Sequence, residues 1–536
     1  MKKNLMYLLG AAGLTVASLP VSSQSADDWY SAGQQAIQHN ASYIPNTGNA
    51  KNVILFIGDG MGVSTVTAAR ILDGQKKGMS GEENQLSFEK FPHLALSKVY
   101  NTNQQTPDSA GTMTAMVAGV KTKAGVIGVE PQVLRRNCAS SKGNEIISYL
   151  ELAEATGMST GVVSTARLTH ATPAATYAKS PERGWEDDRD LTDEAKQNGC
   201  KDIARQLIEF PFGDGVEVAM GGGRRSFIPS TMDDQEDAGK TGERDDGRDL
   251  TKEWVDNNDN AAFVWNKDQF DSINPANTDH LLGLFERSHM EFELDRADDT
   301  GGEPSLTEMT AKSIDILKKN NKGYFLMVES GRIDHAHHGG NAQRSLEDNI
   351  EFAKAVQMAV DKTSAEDTLI IVTADHSHVF TIAGYPTRGN DILGKVMVNG
   401  SDGLPSGELA LDAFDLPFTT LGYANGPGYL GGETRVDLTN VDTTATNYLQ
   451  EATVPLSSET HSGEDVAIYA RGPGAYLIDG VLEQNAIFHV MARQNSRINN
   501  ALSLIGSFGS GKSSRPTYNN FEKMHYQLAE STDNQQ

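Results

Sequence analysis

The feature that most constrains the fold of this chain is a repeated alternation of short apolar runs with amphipathic helical patterns. Runs rich in β-branched residues predict buried strands, here residues 53–57, 160–164, 216–220, 324–328, 368–373 and 466–470. Strands that are apolar throughout must be covered on both faces, and intervening helices supply that cover. We therefore predict an α/β fold with a large central, mostly parallel sheet flanked by helices on both faces.

Helices are predicted between these strands where apolar residues recur at intervals of three and four. They cover residues 145–155, residues 202–210 and the apolar stripe from Leu346 to Val360. A further helix begins at Ser305, because Glu308 follows it at the spacing of a capping box. We find no internal repeat.

The composition excludes several classes of protein. The 536 residues are 38% hydrophobic, which is enough for a substantial core, and the formal net charge is −26. Such an acidic chain lacks the basic footprint of a nucleic-acid-binding protein or of a protein that docks on an anionic membrane. Two cysteines are too few for a disulfide scaffold or a zinc module with cysteine ligands.

The first 25 residues have the pattern of a secretory signal peptide. Lys2 and Lys3 precede a segment of apolar and small residues at 5–19, and the small residues Ser22, Ser23 and Ser25 follow. The alternative, a transmembrane anchor, needs about 20 apolar residues, and no later stretch is long enough either. We predict a periplasmic or secreted protein without a membrane anchor. Export would allow Cys138 and Cys200 to form a disulfide, the alternative being two buried thiols.

The rest of the chain divides into three parts. Residues 26–496 form the main domain, and residues 388–455, rich in Gly, Asp, Thr and Pro, interrupt it as an inserted subdomain. Residues 497–536 are predicted to be a flexible polar tail. Within it, residues 506–513 match the phosphate-loop pattern GxxxxGK[ST], but Pro516 would disrupt the helix that such a loop requires.

Acidic residues and histidines gather where the predicted strands end, and in open α/β sheets sites form at the carboxyl ends of strands. Zinc binds imidazole nitrogen and carboxylate oxygen, and more ligands than four imply more than one ion. Two neighbouring ions would stabilise the attacking and leaving oxygens of a phosphoryl transfer. The residues concerned are Asp59, Glu329, Asp334, His335, His337, His338, Asp375, His376 and His461.

The spacing of these residues limits how they can act together. Asp334 and His338 are four apart, so one helical turn directs both at the same ion. Sequence alone does not separate His337 from His338, although the spacing favours His338. Asp375 and His376 are adjacent, so both can bind only if the backbone turns sharply after the strand.

Ser109 is the candidate nucleophile, because residues 110–118 form a helix-compatible segment that Gly119 ends. The helix N-terminus would favour an alkoxide or a phosphate at Ser109. The alternative is an ordinary N-cap serine. No free base is evident beside Ser109, but a metal ion could replace one. Arg183 is a candidate for binding two phosphate oxygens through its guanidinium group.

Six motifs in order make the chain resemble the alkaline phosphatase family from about residue 28 to 495. Histidines at His170 and His335 make it more similar to the animal branch than to the enteric-bacterial branch. The motifs are IGDGMG at 57–62, DSAGT at 108–112, HATP at 170–173, ESGRIDHAHH at 329–338, TADHSH at 373–378 and ETHSGED at 459–465.

The resemblance implies two zinc ions, one magnesium ion and a phosphoserine formed on Ser109, with hydrolysis of small phosphate monoesters. It implies a homodimer with an N-terminal arm at residues 29–42 and a crown-like insertion at 388–455. It also implies a disulfide between Cys138 and Cys200. The implied ligands are Asp334, His338 and His461 for the first zinc, Asp59, Asp375 and His376 for the second, and Asp59, Thr172 and Glu329 for magnesium. The other implied residues are Arg183 and Asp108 beside the phosphate, His170 and His335 holding water, and Phe285, Glu286 and Glu303 for a calcium ion.

Other functions remain open at this point. A phosphodiesterase or sulfatase would share the metal architecture, although diesterases commonly use threonine as nucleophile and sulfatases mature a residue in a C/S-x-P-x-R setting. An acidic metal-storage protein would need neither Ser109 nor Arg183. An ATPase built on the tail would lose its activity if residues 505–536 were deleted.

Overall fold

The computed structural model describes residues 25–429, 431, 435–507 and 517–533. Residues 1–24 of the predicted signal peptide and residues 508–513 of the phosphate-loop pattern lie outside the described residues. The chain divides into two units, Met1–Tyr43 and Ile44–Gln536. In the first unit the described residues form one helix, α1 (Ala26–Ser42), which buries none of its side chains.

The second unit is built around a ten-stranded sheet. The strands of the described residues are β1 (Asn52–Gly58), β2 (His93–Lys98), β3 (Ser159–Arg167), β4 (Val218–Gly222), β5 (Ala261–Val264), β6 (His280–Leu284), β7 (Tyr324–Ser330), β8 (Thr368–Ala374), β9 (Ser377–His378), β10 (Phe380–Ile382), β11 (Met397–Asn399), β12 (Pro405–Leu409), β13 (Leu421–Gly426), β14 (Ala452–Pro455), β15 (His461–Ser462), β16 (Val466–Arg471) and β17 (Val481–Glu483). The sheet order is β17-β2-β16-β8-β1-β7-β3-β4-β6-β5. The strands from β8 to β5 pair in parallel, whereas β16 is antiparallel to both of its neighbours. The predicted α/β fold with a mostly parallel sheet is confirmed.

Helices cover the sheet and form two apolar core clusters with it. Those that follow α1 in the described residues are α2 (Val63–Lys76), α3 (Ser109–Ala118), α4 (Cys138–Ser141), α5 (Tyr149–Ala155), α6 (Ala171–Tyr177), α7 (Asp193–Asn198), α8 (Ile203–Ile208), α9 (Leu250–Asn257), α10 (Lys267–Ser272), α11 (Leu306–Leu317), α12 (Arg332–His338), α13 (Ala342–Lys362), α14 (Ala486–Gln494), α15 (Ser496–Ser507) and α16 (Tyr518–Asp533). Short 3₁₀ helices lie at Ser87–Lys90, Arg224–Ser226, Arg296–Asp298 and Ala475–Leu477. None of the described helices is long and apolar enough to cross a membrane.

Capping side chains decide where helices begin. Ser305 and Glu308 form the predicted capping box at the start of α11. The helix predicted from residue 145 instead begins at Tyr149, because Ser148 accepts a hydrogen bond from the Glu151 backbone N–H and so acts as the N-cap. Ile146 and Ile147, which precede the cap, are apolar, so the sequence pattern could not distinguish them from a helical turn.

The prediction of a flexible polar tail was wrong for the described part of residues 497–536. Ile498, Ala501 and Ile505 of α15 are buried, as are Phe521 and Met524 of α16. Phe521 packs on Phe212, with ring centroids 4.7 Å apart. A few apolar side chains spaced along mostly polar helices are enough to attach both helices to the core, and average composition does not reveal them.

Three small sheets are separate from the large one. Strands β10, β13 and β14 form the first, β11 and β12 form the second, and β9 and β15 form the third. Most of these strands fall within residues 388–455, the predicted insertion. The disulfide between Cys138 and Cys200 is present and joins the start of α4 to the segment after α7.

Candidate metal centre

The strand register brings the acidic residues and histidines together. In β1, Ile57 pairs with Glu329 of β7, and Gly58 pairs with Ala374 of β8. Asp59 therefore follows β1 between the carboxyl ends of two parallel neighbours. Its backbone N–H donates to the Ser330 carbonyl (3.2 Å), and it is completely buried.

Asp334, His338 and His461 converge at one point of this edge. Asp334 Oδ1 lies 3.3 Å from His338 Nε2 and 3.3 Å from His461 Nε2, and the two ring nitrogens are 3.1 Å apart. The predicted spacing of four residues on α12 thus directs Asp334 and His338 at one place.

The backbone fixes the tautomers of both histidines. His338 Nδ1 lies 2.6 Å from the Glu459 carbonyl oxygen, and His461 Nδ1 lies 2.8 Å from the Pro107 carbonyl oxygen. A carbonyl oxygen can only accept, so each Nδ1 must donate a proton. In the neutral rings the two Nε2 lone pairs then face each other, which is repulsive unless a cation lies between them.

Asp59, Asp375 and His376 form a second set beside the first. His376 Nε2 lies 3.4 Å from Asp59 Oδ1 and 3.3 Å from Asp375 Oδ2. Ser109 Oγ is 3.4 Å from the same nitrogen. The predicted sharp turn after β8 is present, since Asp375 Oδ1 accepts from the backbone N–H groups of Gly60 and His376.

The distances in both sets match the requirements of zinc. Ligands about 2.0–2.1 Å from a tetrahedral ion are separated by about 3.3–3.4 Å, because a tetrahedron's edge is 1.63 times the centre-to-vertex distance. The measured separations are 3.1–3.4 Å. Mixed imidazole and carboxylate donors are also the ligands that zinc prefers. The residues therefore fit two zinc ions.

A third set of donors near Asp59 consists mainly of oxygen atoms, with a ring nitrogen of His170 within 4.8 Å of oxygens of Asp59 and Glu329. Thr172 Oγ1, Glu329 Oε1 and both carboxylate oxygens of Asp59 are buried, and none of them has a hydrogen-bond partner among the described residues. Ser164 Oγ donates to the other oxygen of Glu329. Buried oxygens without partners are costly, and magnesium binds oxygen ligands of this kind. The set therefore fits magnesium.

Burial and mutual repulsion give these groups unusual acidities. Burial and the carboxylates of Asp375, Asp334 and Glu329 raise the pKa of Asp59 well above its ordinary value. Burial raises the pKa of Glu329 to about 7 and lowers the pKa of His376 well below its usual range. Burial alone would raise the pKa of Asp334, but His338, His378 and His461 hold it well below its ordinary value. Carboxylates that repel one another beside neutral imidazoles need a cation.

We expect Glu329→Gln to stabilise the metal-free protein at about pH 8, and much less at about pH 5. In the folded chain the Glu329 pKa is about 7, above its ordinary value of 4.5, so folding is penalised as the pH rises between these values. The penalty is complete above pH 7 and is on the order of 3 kcal/mol. Melting temperatures of both proteins after chelation test this. Equal melting temperatures at the higher pH would contradict it.

Ser109 is the first residue of α3, and Asp108 rather than Ser109 caps the helix. Asp108 Oδ1 accepts from the Gly111 backbone N–H (3.1 Å), so the Ser109 hydroxyl is not needed for capping. Arg183 donates to Asp108 Oδ2 (3.0 Å) and to His170 Nε2 (3.1 Å). Asp108 thus contacts both the start of the helix that carries Ser109 and the guanidinium group of Arg183.

His170 and His335 lie beside this arrangement, with ring centroids 5.5 Å apart. Burial lowers the pKa of His335 to about 3 and holds that of His170 well below its ordinary value. A third ring, His289, lies 4.0 Å from His335. Sequence reasoning missed His289, and no motif pointed to it.

The structure separates His337 from His338. His337 turns away from the metal centre and contacts Thr65 Oγ1 (3.0 Å), Ser345 Oγ (2.9 Å) and Tyr423 Oη (2.8 Å). His338 faces Asp334, as the spacing favoured.

His378 and Glu459 were also missed as functional residues. His378 Nε2 lies 2.7 Å from Asp334 Oδ1, and His378 Nδ1 contacts Glu459 Oε2. Burial opposes protonation of His378, but these two carboxylates raise its pKa to about 9. His378 lies in the motif TADHSH and Glu459 in the motif ETHSGED, and these positions were the sequence signal that could have identified them.

The candidate calcium ligands lie in a separate acidic cluster. Burial and the carboxylates of Glu236 and Asp299 raise the pKa of Glu286 to about 8. Glu303 Oε2 and Asp299 Oδ2 are buried and have no hydrogen-bond partner within the part of the chain that the structure describes. The Phe285 carbonyl accepts from Arg224 (3.1 Å). These carboxylate oxygens fit a hard cation, whereas the Phe285 carbonyl already accepts a hydrogen bond from Arg224.

Comparison of the sequence identifies its relatives. A sequence profile of the alkaline phosphatase family matches residues 50–496. The chain is 46% identical over 497 residues to the human tissue-nonspecific alkaline phosphatase isozyme, a match covering 91% of this chain and 92% of the human protein. It is 47% identical to the alkaline phosphatase of Gadus morhua, over 83% of this chain and 92% of that protein.

Comparison of the structure gives neighbours with the same fold. The alkaline phosphatase of Thermus thermophilus has a TM-score of 0.59 at 22% identity, covering 84% of this chain and 93% of that chain. The alkaline phosphatase of the Antarctic bacterium TAB5 has a TM-score of 0.56 at 23% identity, covering 84% and 99%. At these identities the likeness concerns the fold alone.

Proposed function

The chain belongs to the alkaline phosphatase family and hydrolyses phosphate monoesters, and we propose that it does so through a phosphoserine on Ser109. The observation that carries this proposal is the position of Ser109 Oγ. It lies 3.4 Å from His376 Nε2, at the edge where both sets of nitrogen and oxygen donors converge.

Three metal ions would be held by the residues of these sets. Asp334, His338 and His461 would hold one zinc, Asp59, Asp375 and His376 a second zinc, and Asp59, Thr172 and Glu329 a magnesium. When bound, the ions supply positive charge that favours the ionised Ser109 hydroxyl and the charge that develops on the phosphoryl oxygens. His376 Nδ1 lies 3.3 Å from the Ser377 carbonyl, which keeps its Nε2 unprotonated and directed at this site.

The reaction has two displacements at phosphorus. Ser109 Oγ attacks the phosphorus, the bond to the alcohol oxygen breaks, and the alcohol leaves after taking up a proton. Water then attacks the phosphoserine, the bond to Ser109 Oγ breaks, a proton from the water returns to Ser109 Oγ, and inorganic phosphate is released. The N-terminus of α3 and the Arg183 guanidinium would stabilise the phosphoryl oxygens in both steps, while His170 and His335 hold water nearby.

Arg183 is the proposed reason for the preference for monoesters. A guanidinium group donates two parallel hydrogen bonds, which suits the two free oxygens of a monoester. A diester has one of these oxygens esterified. Asp108 would fix the guanidinium in orientation, as their 3.0 Å contact indicates.

A panel of three substrates tests the proposed function. The purified protein, loaded with zinc and magnesium, is assayed at about pH 9 with p-nitrophenyl phosphate, bis-p-nitrophenyl phosphate and p-nitrophenyl sulfate. We expect kcat/KM to be highest for the monoester, by at least about 10–10²-fold over the diester, because one esterified oxygen loses a charge-assisted contact with Arg183. The sulfate should also react more slowly, because it carries one negative charge where the phosphate monoester carries two. A diester or sulfate rate equal to the monoester rate would contradict the proposal.

In the same panel, Arg183→Ala should lower kcat/KM for the monoester by about 10²–10³-fold, which corresponds to two charge-assisted hydrogen bonds. The loss for the diester should be much smaller. Arg183→Lys is the matched control, because it retains the charge without the bidentate geometry. Its kcat/KM for the monoester should lie between the values of the wild type and of Arg183→Ala. Equal losses on both substrates would show that Arg183 does not select monoesters.

The remaining features form part of the same proposal. The chain would be exported to the periplasm or secreted after removal of residues 1–25, which the Cys138–Cys200 disulfide supports. It would be a homodimer, and the exposed Trp29, Tyr30 and Ile37 of α1 would suit an N-terminal arm. Residues 26–496 would be the catalytic domain, with the crown-like insertion at 388–455. Phe285, Glu286 and Glu303 would bind calcium.

A further inference from the structure

Three carboxylates meet at the edge of the sheet opposite the metal centre. Glu154 lies near the end of α5, and Glu217 directly precedes β4. Asp214 lies in the turn before Glu217. Since β3 and β4 run parallel to β1, their first residues lie at the amino edge, whereas the metal centre lies at the carboxyl edge.

The three side chains approach one another closely. One carboxylate oxygen of each lies within 4.8 Å of those of the other two. Thr160, at the start of β3, orients the carboxylates of Glu154 and Glu217, which are the two buried members of the cluster. Its hydroxyl donates to Glu154 Oε1 (2.5 Å), and its backbone N–H donates to Glu217 Oε2 (2.6 Å).

The second oxygen of Glu154 has no hydrogen-bond partner among the described residues. Glu154 is 1% exposed, and its Oε2 atom is fully buried. A Cβ atom on Gly213 would lie 2.2 Å from Oε2, so this oxygen faces the turn that carries Asp214. An unpartnered carboxylate oxygen is therefore directed into the acidic cluster.

The charges that act most strongly on these residues are of one sign. Burial and the neighbouring carboxylates of Glu217 and Asp214 raise the pKa of Glu154 well above its ordinary value. Burial raises the pKa of Glu217 to about 7, with Asp214 adding to the effect. Either a bound cation or a retained proton must offset this repulsion.

We propose that Glu154, Asp214 and Glu217 form a further site for a divalent cation with oxygen ligands, most suitably calcium. Calcium lies about 2.3–2.6 Å from its oxygen ligands, so ligand oxygens on opposite sides of the ion are up to about 5.2 Å apart. The carboxylate oxygens of this cluster, within 4.8 Å of one another, can therefore bind one ion. Asp214 is exposed, which gives the ion a route from solvent and leaves room for water ligands. The site is independent of the proposed catalytic mechanism.

The competing interpretation is a proton shared between Glu154 and Glu217, with no ion. The two interpretations predict different behaviour for the neutral isosteres. A shared proton makes Glu154→Gln harmless or stabilising and leaves calcium binding unchanged. A cation site makes the same substitution remove one bound ion.

Calcium counting by equilibrium dialysis tests the proposal. The zinc- and magnesium-loaded protein is dialysed against radioactive calcium at about 1 mM, a concentration at which extracellular calcium sites are typically occupied. We expect both Glu154→Gln and Asp214→Asn to bind one calcium fewer per chain than the wild type. Asp259→Asn, which removes the same charge from another exposed position, should bind as many as the wild type.

Thermal unfolding gives a second readout. Added calcium should raise the wild-type melting temperature more than that of Asp214→Asn, because an ion that binds only the folded chain stabilises it. Hydrolysis of p-nitrophenyl phosphate should be the same in all these proteins, so failure of this site and failure of the catalytic proposal are distinguishable. Equal calcium counts in wild type, Glu154→Gln and Asp214→Asn would overturn the cation site and establish the shared proton.

Discussion

Replacing Ser109 by alanine should lower kcat for p-nitrophenyl phosphate by at least about 10⁴-fold, since loss of a nucleophile removes the covalent route. The residual rate would come from direct attack of water on a phosphoryl group that the remaining residues still bind. Because Asp108 and not Ser109 caps α3, the helix should keep its structure. The melting temperature should therefore change little while activity is lost.

Trapping of the intermediate separates a nucleophilic role from a positional one. Acid quenching during turnover should leave one phosphoryl group on the peptide containing Ser109 in the wild type, and none in Ser109→Ala. Thr112→Ser is a matched control, since it retains the hydroxyl that donates to the Asp108 carbonyl on the same helix. Phosphate on any other residue, or an alanine variant of nearly wild-type activity, would rule out Ser109 as the nucleophile.

Removal of divalent ions with EDTA should lower activity by at least about 10³-fold, because several kcal/mol of charge stabilisation disappear with the ions. Zinc and magnesium added together should restore it fully, and neither alone should do so. The carboxylates of Asp59 and Asp375 repel each other and lie within 3.4 Å of His376 Nε2, the nitrogen that Ser109 Oγ also contacts. The stripped protein therefore presents negative charge to an anionic substrate. Undiminished activity in a protein that elemental analysis shows to be free of metal would contradict the proposal.

Variants can assign each ion to its residues. Glu329→Gln should retain both zinc ions and lose magnesium, because Glu329 contributes only to the third set. His461→Ala should lose one zinc ion and keep magnesium. Elemental analysis of the dialysed proteins, together with circular dichroism as a check on folding, distinguishes these outcomes. Loss of all ions in Glu329→Gln would mean that the three sets do not bind separately.

Much of the fold follows from local sequence. Continuously apolar runs such as residues 53–57 and 368–373 can only be strands covered on both faces, and they are neighbours in the centre of the sheet. The strand β2, which lies between β17 and β16, was missed because it alternates exposed and buried residues and so lacks the continuous apolar run on which the prediction rested. The direction of β16 was not predictable, since parallel and antiparallel strands can have the same composition.

The candidate site was partly predictable for the same reason. The local sequence predicts which chemical groups are available at the site. It places carboxylates and imidazoles after buried strands and a serine at the start of a helix. It also places Asp334 and His338 four residues apart. These are properties of neighbouring residues, which covalent geometry and helical periodicity fix.

Which of these groups face one another depends on contacts between segments that are distant in the sequence. Register placed Asp59 between β7 and β8, and contacts between distant elements turned His337 toward Tyr423 and His338 toward His461. Tertiary packing also placed Asp214 and Glu217 beside Glu154 and attached α16 to the core. Such choices depend on packing between segments far apart in the chain, and no local pattern contains that information.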